Sequence, residues 1–163
     1  MRKLIPVILL CLIVLSACSA KASTDVSEPV GQMQIGNPWK TYASLADAEN
    51  ASGLTFPIPE NIPDSYEAAT YQVLNSSLLE VTYRNDESEI TVRMQAGNDL
   101  DISGVYETFR QIETTEQNGA SVTRKQAEDC LVYLIHRDGY SYSIYATSLT
   151  ADDVCREILS YIC

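Results

Sequence analysis

Apolar and polar residues alternate with a period of two through much of the chain, which is the pattern of β-strands with one buried face. The alternation is clear over residues 79–84 and again over residues 90–95, with turn-forming residues 85–88 between them. This arrangement predicts an antiparallel hairpin, preceded by a further strand over residues 70–74.

Two later hairpins are indicated by dipeptides that favour tight turns, Asn118–Gly119 and Asp138–Gly139. Both central positions of a type I′ turn need a positive φ, which asparagine, aspartate and glycine tolerate best. The second turn places Tyr133 opposite Ile144, on a face that is apolar throughout. The reverse face of the same hairpin mixes apolar and polar side chains, so we expect it to be covered only in part.

A helical pattern occurs near each end of the predicted domain. Ser44 suits the N-cap of a first helix, and Gly53 suits its C-terminal end. Thr150 suits the N-cap of a last helix, whose apolar stripe has to dock on the sheet: Ala151, Val154, Cys155, Ile158 and Ile162. The sequence therefore predicts an α+β fold, in which an N-terminal and a C-terminal helix pack on a curved antiparallel sheet of about seven strands.

The N-terminus has the order of a bacterial export signal, with basic Arg2 and Lys3, an apolar run, and small residues before Cys18. As a helix, the apolar run of residues 4–17 would span about 21 Å, which is too short for a hydrocarbon core of about 30 Å. Residues 15–18, Leu-Ser-Ala-Cys, resemble the lipobox of bacterial lipoproteins. The resemblance implies cleavage before Cys18 and attachment of lipid to its sulfur.

On this interpretation residues 1–17 are a lipoprotein signal peptide, residues 18–36 a flexible tether and residues 37–163 a single α+β domain. The segment 18–36 is polar, rich in small residues and aperiodic, which is typical of a tether. The lipid on Cys18 would hold the domain at the cell membrane, on the extracytoplasmic side.

The charge of the chain narrows the choice of partners. The full sequence has a net charge of −11, and loss of Arg2 and Lys3 leaves nine basic residues against 22 acidic ones, a net charge of −13. Such an excess argues against nucleic acid and anionic headgroups as ligands. Besides the membrane, an envelope protein or other envelope ligand is the expected partner, and a cationic enzyme such as lysozyme is an alternative.

Five cysteines are present, of which Cys11 would leave with the signal and Cys18 would carry lipid. Cys155 and Cys163 stand about 12 Å apart along one predicted helix, too far for a disulfide. A bridge would therefore join Cys130 to Cys155 or Cys163, and three reduced thiols are the alternative. The cysteine spacings match no zinc pattern, and we expect neither a metal nor another cofactor.

Residues 98–104 resemble half of a calcium loop, because oxygen-bearing side chains alternate before a glycine: Asp99, Asp101 and Ser103, with Glu107 further on. Arg110 stands where such a loop needs a bidentate carboxylate. The alternative is a tight turn, in which aspartate and serine side chains bond to nearby backbone amides. We interpret this loop as a possible binding surface.

Tyrosines are concentrated in the last predicted strand, at Tyr140, Tyr142 and Tyr145, and they suit either sheet packing or recognition. His136 is predicted to lie across the hairpin from Ser141, but no orienting acid or oxyanion hole accompanies that pair. We therefore expect no enzymatic activity. A hydrolase that uses carboxylates is the least favoured alternative.

Several segments carry a resemblance to a known group of proteins: Gly36-Asn37-Pro38-Trp39, residues 57–59, residues 101–106 and residues 139–144. They resemble a family of uncharacterised small lipoproteins from Gram-positive, Clostridia-like bacteria. Similar domains form the outer portions of membrane proteins that resemble anti-sigma factors. The resemblance implies an α+β domain and no known catalytic residue. The leading hypothesis is a lipid-anchored, non-enzymatic binding or sensing domain of the cell envelope.

Overall fold

The computed structural model describes residues 37–64 and 66–163. The predicted signal peptide, residues 1–17, the tether, residues 18–36, and the lipidation site Cys18 lie outside the described residues. Within them the elements, in chain order, are β1 Trp39–Tyr42, α1 Leu45–Ser52, β2 Asn61–Ile62, β3 Tyr66–Leu74, β4 Leu78–Arg84, β5 Glu89–Ala96, β6 Gln111–Gln117, β7 Ala120–Gln126, β8 Leu131–Arg137, β9 Tyr140–Ala146 and α2 Asp152–Ile162.

All the strands in the described part of the chain belong to one open antiparallel sheet, with the order β1-β3-β4-β5-β9-β8-β7-β6. The short strand β2 also pairs with β3, along the same side of β3 as β1. The sheet therefore has nine strands, and the expectation of about seven is corrected. The two strands that the sequence pattern missed are β1, with four residues, and β2, with two. Segments so short cannot display an alternating pattern.

The hairpin predictions are confirmed. Asn118 and Gly119 have φ values of 50° and 81°, and Asp138 and Gly139 have values of 52° and 83°, as type I′ turns require. Tyr133 pairs with Ile144 in the register between β8 and β9.

One face of the sheet carries the apolar rows, and both helices lie on it. In one row Val81, Val92 and Ile144 are neighbours on successive strands, and each is fully buried. The helices add their own buried side chains to this core: Ala48 from α1, and Val154, Cys155, Ile158, Leu159 and Ile162 from α2. The prediction of two helices on the sheet is confirmed, although α1 has only eight residues.

The helix ends follow the expected chemistry with one difference. Ser44 accepts a hydrogen bond from the Asp47 amide at 3.2 Å, and Gly53 ends α1 with a φ of 70°. At the last helix, however, Thr150 is not the N-cap. Ser148 caps a short 3-10 turn, Leu149–Ala151, which leads directly into α2.

A polar clamp fixes the start of α2 to the sheet. Asp152 accepts hydrogen bonds from the Tyr133 hydroxyl at 2.6 Å and from the Arg124 guanidinium at 3.1 Å. Burial would raise the pKa of Asp152, but these hydrogen bonds outweigh burial and the pKa is lowered. Arg124 faces Glu113 in the register of β6 and β7, yet its ion pair is with Asp152.

Candidate functional site

The second face of the sheet is crossed by a long connection that we call the strap, residues 97–110. The chain leaves β5 in the middle of the sheet and resumes at β6 on the edge, so the strap has to pass β9, β8 and β7. Neither helix lies on this face, because both belong to the opposite core. The strap is therefore what covers the mixed face of the β8–β9 hairpin. The side chains of Val132, Leu134, Ser141 and Ser143 on this face are buried, whereas His136 and Tyr145 are partly exposed.

Arg93 of β5 is the main tether of the strap. Its Nε donates to Glu80 Oε2 at 2.6 Å, and its Nη1 donates to the carbonyl oxygens of Ile102 and Ser103 at 3.0 and 2.6 Å. The same guanidinium lies 5.6 Å from the centre of the Trp39 ring. One largely buried cation thus joins the strap to three strands of the sheet.

Gly104 is required where the strap meets this guanidinium. Its φ is 67°, a conformation that side chains disfavour, and a Cβ at this position would overlap Nη1 of Arg93. The Asp-Ile-Ser-Gly segment, residues 101–104, is therefore explained by how the strap is fastened.

Asp101 and Ser103 form the second fastening. Asp101 Oδ1 accepts hydrogen bonds from the Ser103 amide at 3.1 Å and from its hydroxyl at 2.6 Å, while Asp101 Oδ2 accepts from Lys125 Nζ at 2.8 Å. Burial would raise the pKa of Asp101, but the bonds from Lys125 and Ser103 outweigh burial and lower it. The structure thus shows the tight-turn alternative for this loop. Within the described residues no group of three or more metal-binding side chains is assembled.

Ser141 and His136 are neighbours, as the register predicted, but they are not arranged as a nucleophile and a base. Ser141 Oγ donates to the Gly97 carbonyl at 2.8 Å and accepts from the Leu100 amide at 3.2 Å. Since the hydroxyl proton is directed at Gly97, His136 Nδ1, 3.0 Å away, has to be the donor in the remaining bond. The fully buried serine holds the start of the strap.

Beside the fastened part of the strap lies a groove of about 500 Å³. The floor comes from β3, β4 and β5, and the strap and β9 supply one wall. The lining side chains on the sheet are largely polar: Thr70, Gln72, Glu80, Thr82, Arg84, Glu89, Thr91 and Arg93. The strap contributes residues 103–107 and β9 contributes Tyr145. The groove is a polar, open site of the size that a small ligand or a polymer segment would need.

Two tyrosines give the groove its aromatic surface. Tyr106 stands on the rim with 97% of its surface exposed. Tyr145 lies deeper, where burial, followed by the nearby acidic groups of Cys130, Asp129, Glu107 and Glu89, raises the pKa of its hydroxyl.

The groove holds charges that are already paired. Glu80 binds Arg93, and Glu89 binds Arg84 through a short ion pair at the open end. Glu107 is the remaining charged residue that lines the groove, and the other polar side chains there carry hydroxyl or amide groups.

The structure brings together only some of the residues that the sequence singled out. Ser103, Glu107 and Tyr145 line the groove, and Asp101 fastens the strap beside it. Asp99 is exposed on the strap and does not line the groove.

Tyr140 and Tyr142 lie on the opposite face, in contact with the helix-covered core, with ring centres 6.4 Å apart. Of the three tyrosines singled out on β9, Tyr145 therefore lines the groove, and the other two take the sheet-packing role. Even-numbered and odd-numbered positions of a strand point to opposite faces, so Tyr145 separates from the other two.

Sequence reasoning missed Tyr106, Glu80 and Arg93. The signal for Glu80 and Arg93 was present, because the β4–β5 register places these opposite charges side by side. Tyr106 had no such signal, because it lies in a loop that also contains a second aromatic residue, Phe109.

All three cysteines in the described residues are free thiols. Cys155 and Cys163 belong to the helix-covered side, whereas the thiol of Cys130 lies near Glu107, on the strap side. No bridge between Cys130 and either partner is therefore present, and the reduced alternative describes the structure. Burial raises the pKa of the Cys155 thiol to about 12.

Together these features define an α+β domain whose open antiparallel sheet has one helix-covered face and one strap-covered face. Residues 57–158 match the family described as a domain of unknown function, DUF4367, and the chain belongs to this family. The matched range includes the strap and all the residues that line the groove. No curated protein and no solved structure matches the chain. Neither described helix has the length and apolar character needed to span a membrane.

Proposed function

We propose that this chain is a lipid-anchored, extracytoplasmic binding domain of the cell envelope, that it is not an enzyme, and that the groove beside the strap is its ligand site. The anchor rests on the lipobox-like residues 15–18 and on Cys18. The ligand site rests on the groove, which lies on the face of the sheet opposite the helices, beside the strap.

The observation that carries the binding proposal is the exposure of Tyr106. A large ring that is 97% exposed at the rim of a groove contributes nothing to the stability of the domain. Tyrosine combines a flat apolar face with a hydroxyl, which makes it a frequent anchor in recognition sites. Tyr106 is therefore placed to cover a ligand that lies in the groove.

The polar groups of the groove favour an uncharged ligand that is rich in hydroxyl and amide groups. Both arginines of the groove already bind carboxylates, so neither is free to select an anion. The remaining sheet-side groups are donors and acceptors without charge: Thr70, Gln72, Thr82 and Thr91. A saccharide chain offers matching hydroxyls and a ring face for Tyr106.

The probe for this site is chitotetraose, a neutral chain of N-acetylglucosamine, titrated into the mature domain by isothermal calorimetry. We expect saturable binding that the Tyr106→Ala variant weakens at least tenfold. Tyr161→Ala is the matched control, because Tyr161 is an exposed tyrosine on α2, away from the groove. Absence of binding to the unaltered domain, or equal affinity in both variants, would refute the saccharide site.

The anchor is tested separately in cells by fractionation and by labelling with a clickable fatty acid. We expect the unaltered chain in the membrane fraction with label attached, and the Cys18→Ala variant without label. A Cys130→Ala variant is the matched control and should remain labelled. Label that survives in Cys18→Ala would contradict lipidation at that residue.

The acidic charge favours a second candidate function, inhibition of a cationic enzyme such as lysozyme. At low ionic strength we expect an inhibitor to slow lysis of cell walls by lysozyme, and added salt to reverse the effect. Unchanged lysis at low salt would dismiss this candidate. A carboxylate-dependent hydrolase receives less support, because Glu80 and Glu89 in the groove are held by arginines.

A further inference from the structure

The two edges of the sheet are built very differently. One edge is divided between β1 and β2, which have four and two residues, and prolines at 38, 57, 59 and 63 interrupt the chain around them. The other edge is β6, Gln111–Gln117, a continuous strand of seven residues, all exposed. Proteins ordinarily protect a sheet edge by shortening it, or by placing proline or lysine on it. The first edge has such protection, and β6 contains neither proline nor lysine.

The β6–β7 hairpin determines which backbone groups of β6 point outward. Because the turn at Asn118 and Gly119 is type I′, the flanking Gln117 and Ala120 form a hydrogen-bonded pair. Hydrogen-bonded pairs alternate with non-bonded ones along an antiparallel ladder. The amides and carbonyls of the intervening residues therefore face away from β7: Ile112, Thr114 and Glu116. An incoming strand would meet three donors and three acceptors in a regular row.

This edge is already formed and needs little ordering on binding. Every residue of β6 is in register with β7, and the hydroxyls of Thr114 and Thr123 are 3.0 Å apart. A preformed strand lowers the entropy cost of adding a partner strand.

The side chains of β6 favour a partner with one basic residue on each face of its strand and an apolar residue opposite Ile112, because Glu113 points to one face and Ile112 and Glu116 point to the other. Glu113 and Glu116 are the only charged residues of the strand, and neither takes part in an ion pair within the described residues. Ile112 exposes 60% of its surface beside them. A second copy of this chain would bring its own acidic strand and a net charge of −13 after removal of the signal, so self-pairing is disfavoured.

We propose that the free edge of β6 binds an extended, lysine- or arginine-rich segment of a partner protein as an additional strand of the sheet. The outward backbone groups of Ile112, Thr114 and Glu116 supply the hydrogen bonds. Glu113 and Glu116 attract the basic side chains, and Ile112 receives an apolar one. This surface is distinct from the groove, and the inference goes beyond the proposed saccharide site.

The test uses a capped hexapeptide, Lys-Thr-Thr-Lys-Val-Thr, which we call the lysine–valine peptide, with binding followed by isothermal calorimetry on the mature domain. Paired antiparallel to β6, its two lysines face Glu116 and Glu113 and its valine faces Ile112. Thr114→Pro is the blocking variant, because the amide of Thr114 points outward and its loss removes no bond to β7. Thr114→Ala is the matched control, since it also removes the side-chain hydroxyl but retains the amide. We expect Thr114→Pro to weaken peptide binding at least tenfold and Thr114→Ala to leave it within twofold.

Two further arms keep the test decisive if Thr114→Pro disturbs folding. The double variant Glu113→Lys and Glu116→Lys should lose the lysine–valine peptide and gain the corresponding glutamate–valine peptide. A lysine–valine peptide with the threonine at its third position replaced by proline keeps its charge but loses the amide that would bond to Thr114, and it should bind at least tenfold more weakly.

Three results would overturn the proposal. The first is equal binding of the regular and proline-containing peptides, which would show simple charge attraction. The second is no binding of the regular peptide to the unaltered domain. The third is a dimer in sedimentation that Thr114→Pro abolishes, because β6 would then pair with a second copy. Tyr106→Ala should leave peptide binding unchanged, which separates this test from that of the groove.

Discussion

The two faces of the sheet are covered by different means. On the helix-covered face, apolar side chains of the sheet pack against α1 and α2, and most are fully buried. On the other face, the strap is fastened by individual polar bonds from Arg93, Lys125 and Ser141. Burial of apolar surface is non-directional and depends on volume, whereas hydrogen bonds depend on particular atoms.

This difference determines how substitutions on each face should affect the stability of the domain. A buried carboxylate that loses its arginine is left with an uncompensated charge, which costs more than the pair contributed. The strap should therefore depend on a few single side chains, and the helix-covered core on how well its volume is filled. A cover held by a few polar bonds also leaves its outer part, around Tyr106, free to form a binding rim.

The largest effect is expected in the core. Ile158 on α2 is fully buried, and Ile158→Ala should lower the free energy of unfolding by about 3.5 kcal/mol through lost burial and the cavity left behind. Urea denaturation followed by circular dichroism measures this loss.

The control is Tyr161→Ala on the same helix, where the side chain is exposed and the expected change is within about 0.5 kcal/mol. A loss below about 1 kcal/mol in Ile158→Ala would mean that α2 adds little to the core.

The next effect is on the strap. Arg93→Met keeps the length of the side chain but leaves Glu80 and two strap carbonyls without their donor. We expect a loss of about 2.5 kcal/mol in the free energy of unfolding. Amide hydrogen exchange should also quicken in residues 100–105 but not in α2.

Arg84→Met is the control, because it removes a positive charge and an ion pair but no hydrogen bond to the strap. Its ion pair with Glu89 is solvent-exposed, with 58% of the arginine side chain accessible, and such pairs contribute little. If exchange in the strap were equally slow in Arg93→Met and in the unaltered chain, the tethering role of Arg93 would be wrong.

Most of the fold could be predicted from periodicity and turn chemistry. The strands from β3 to β9, both type I′ turns and both helices each had a local signal, such as Asn118–Gly119 or the stripe on α2. The pattern could not reveal β1 and β2, whose pairing with β3 is decided by tertiary contacts. It also could not show that both helices share one face, since that depends on the path of the chain.

The candidate site was predicted only in fragments. The loop at Asp101 and Ser103 stood out by composition, and its tight-turn chemistry was one of two alternatives. Its role as a strap depended on β5 lying in mid-sheet and β6 at the edge, an order that no local pattern encodes. The groove is a consequence of that order, and for the same reason Tyr106 carried no functional signal in the sequence.

A third effect isolates the contact between the strap and Arg93. Gly104 and Gly53 have nearly equal positive φ values, 67° and 70°, but only Gly104 has a neighbour that an added Cβ would strike. Gly53→Ala should therefore cost about 1 kcal/mol for the backbone alone, and Gly104→Ala about 2 kcal/mol. Urea denaturation of both variants gives the difference. Equal losses would show that the strap yields to the added methyl group without strain.

The smallest effect is the pH dependence of the second fastening. Asp101 has a lowered pKa in the folded chain, so the unfolded chain binds its proton first as the solution is acidified. The stabilisation from Asp101 is therefore complete above about pH 5 and lost as the pH falls through about 4 and below. With 45% of this side chain exposed, solvent screening limits the contribution to under about 1 kcal/mol.

Unfolding of Asp101→Asn between pH 7 and pH 3 should show a correspondingly smaller pH dependence. Asp152→Asn should reduce it further, because Asp152 is less exposed and serves the helix-covered face. A larger reduction for Asp101→Asn than for Asp152→Asn would mean that the strap, not the clamp on α2, is the main acid-sensitive part of the domain.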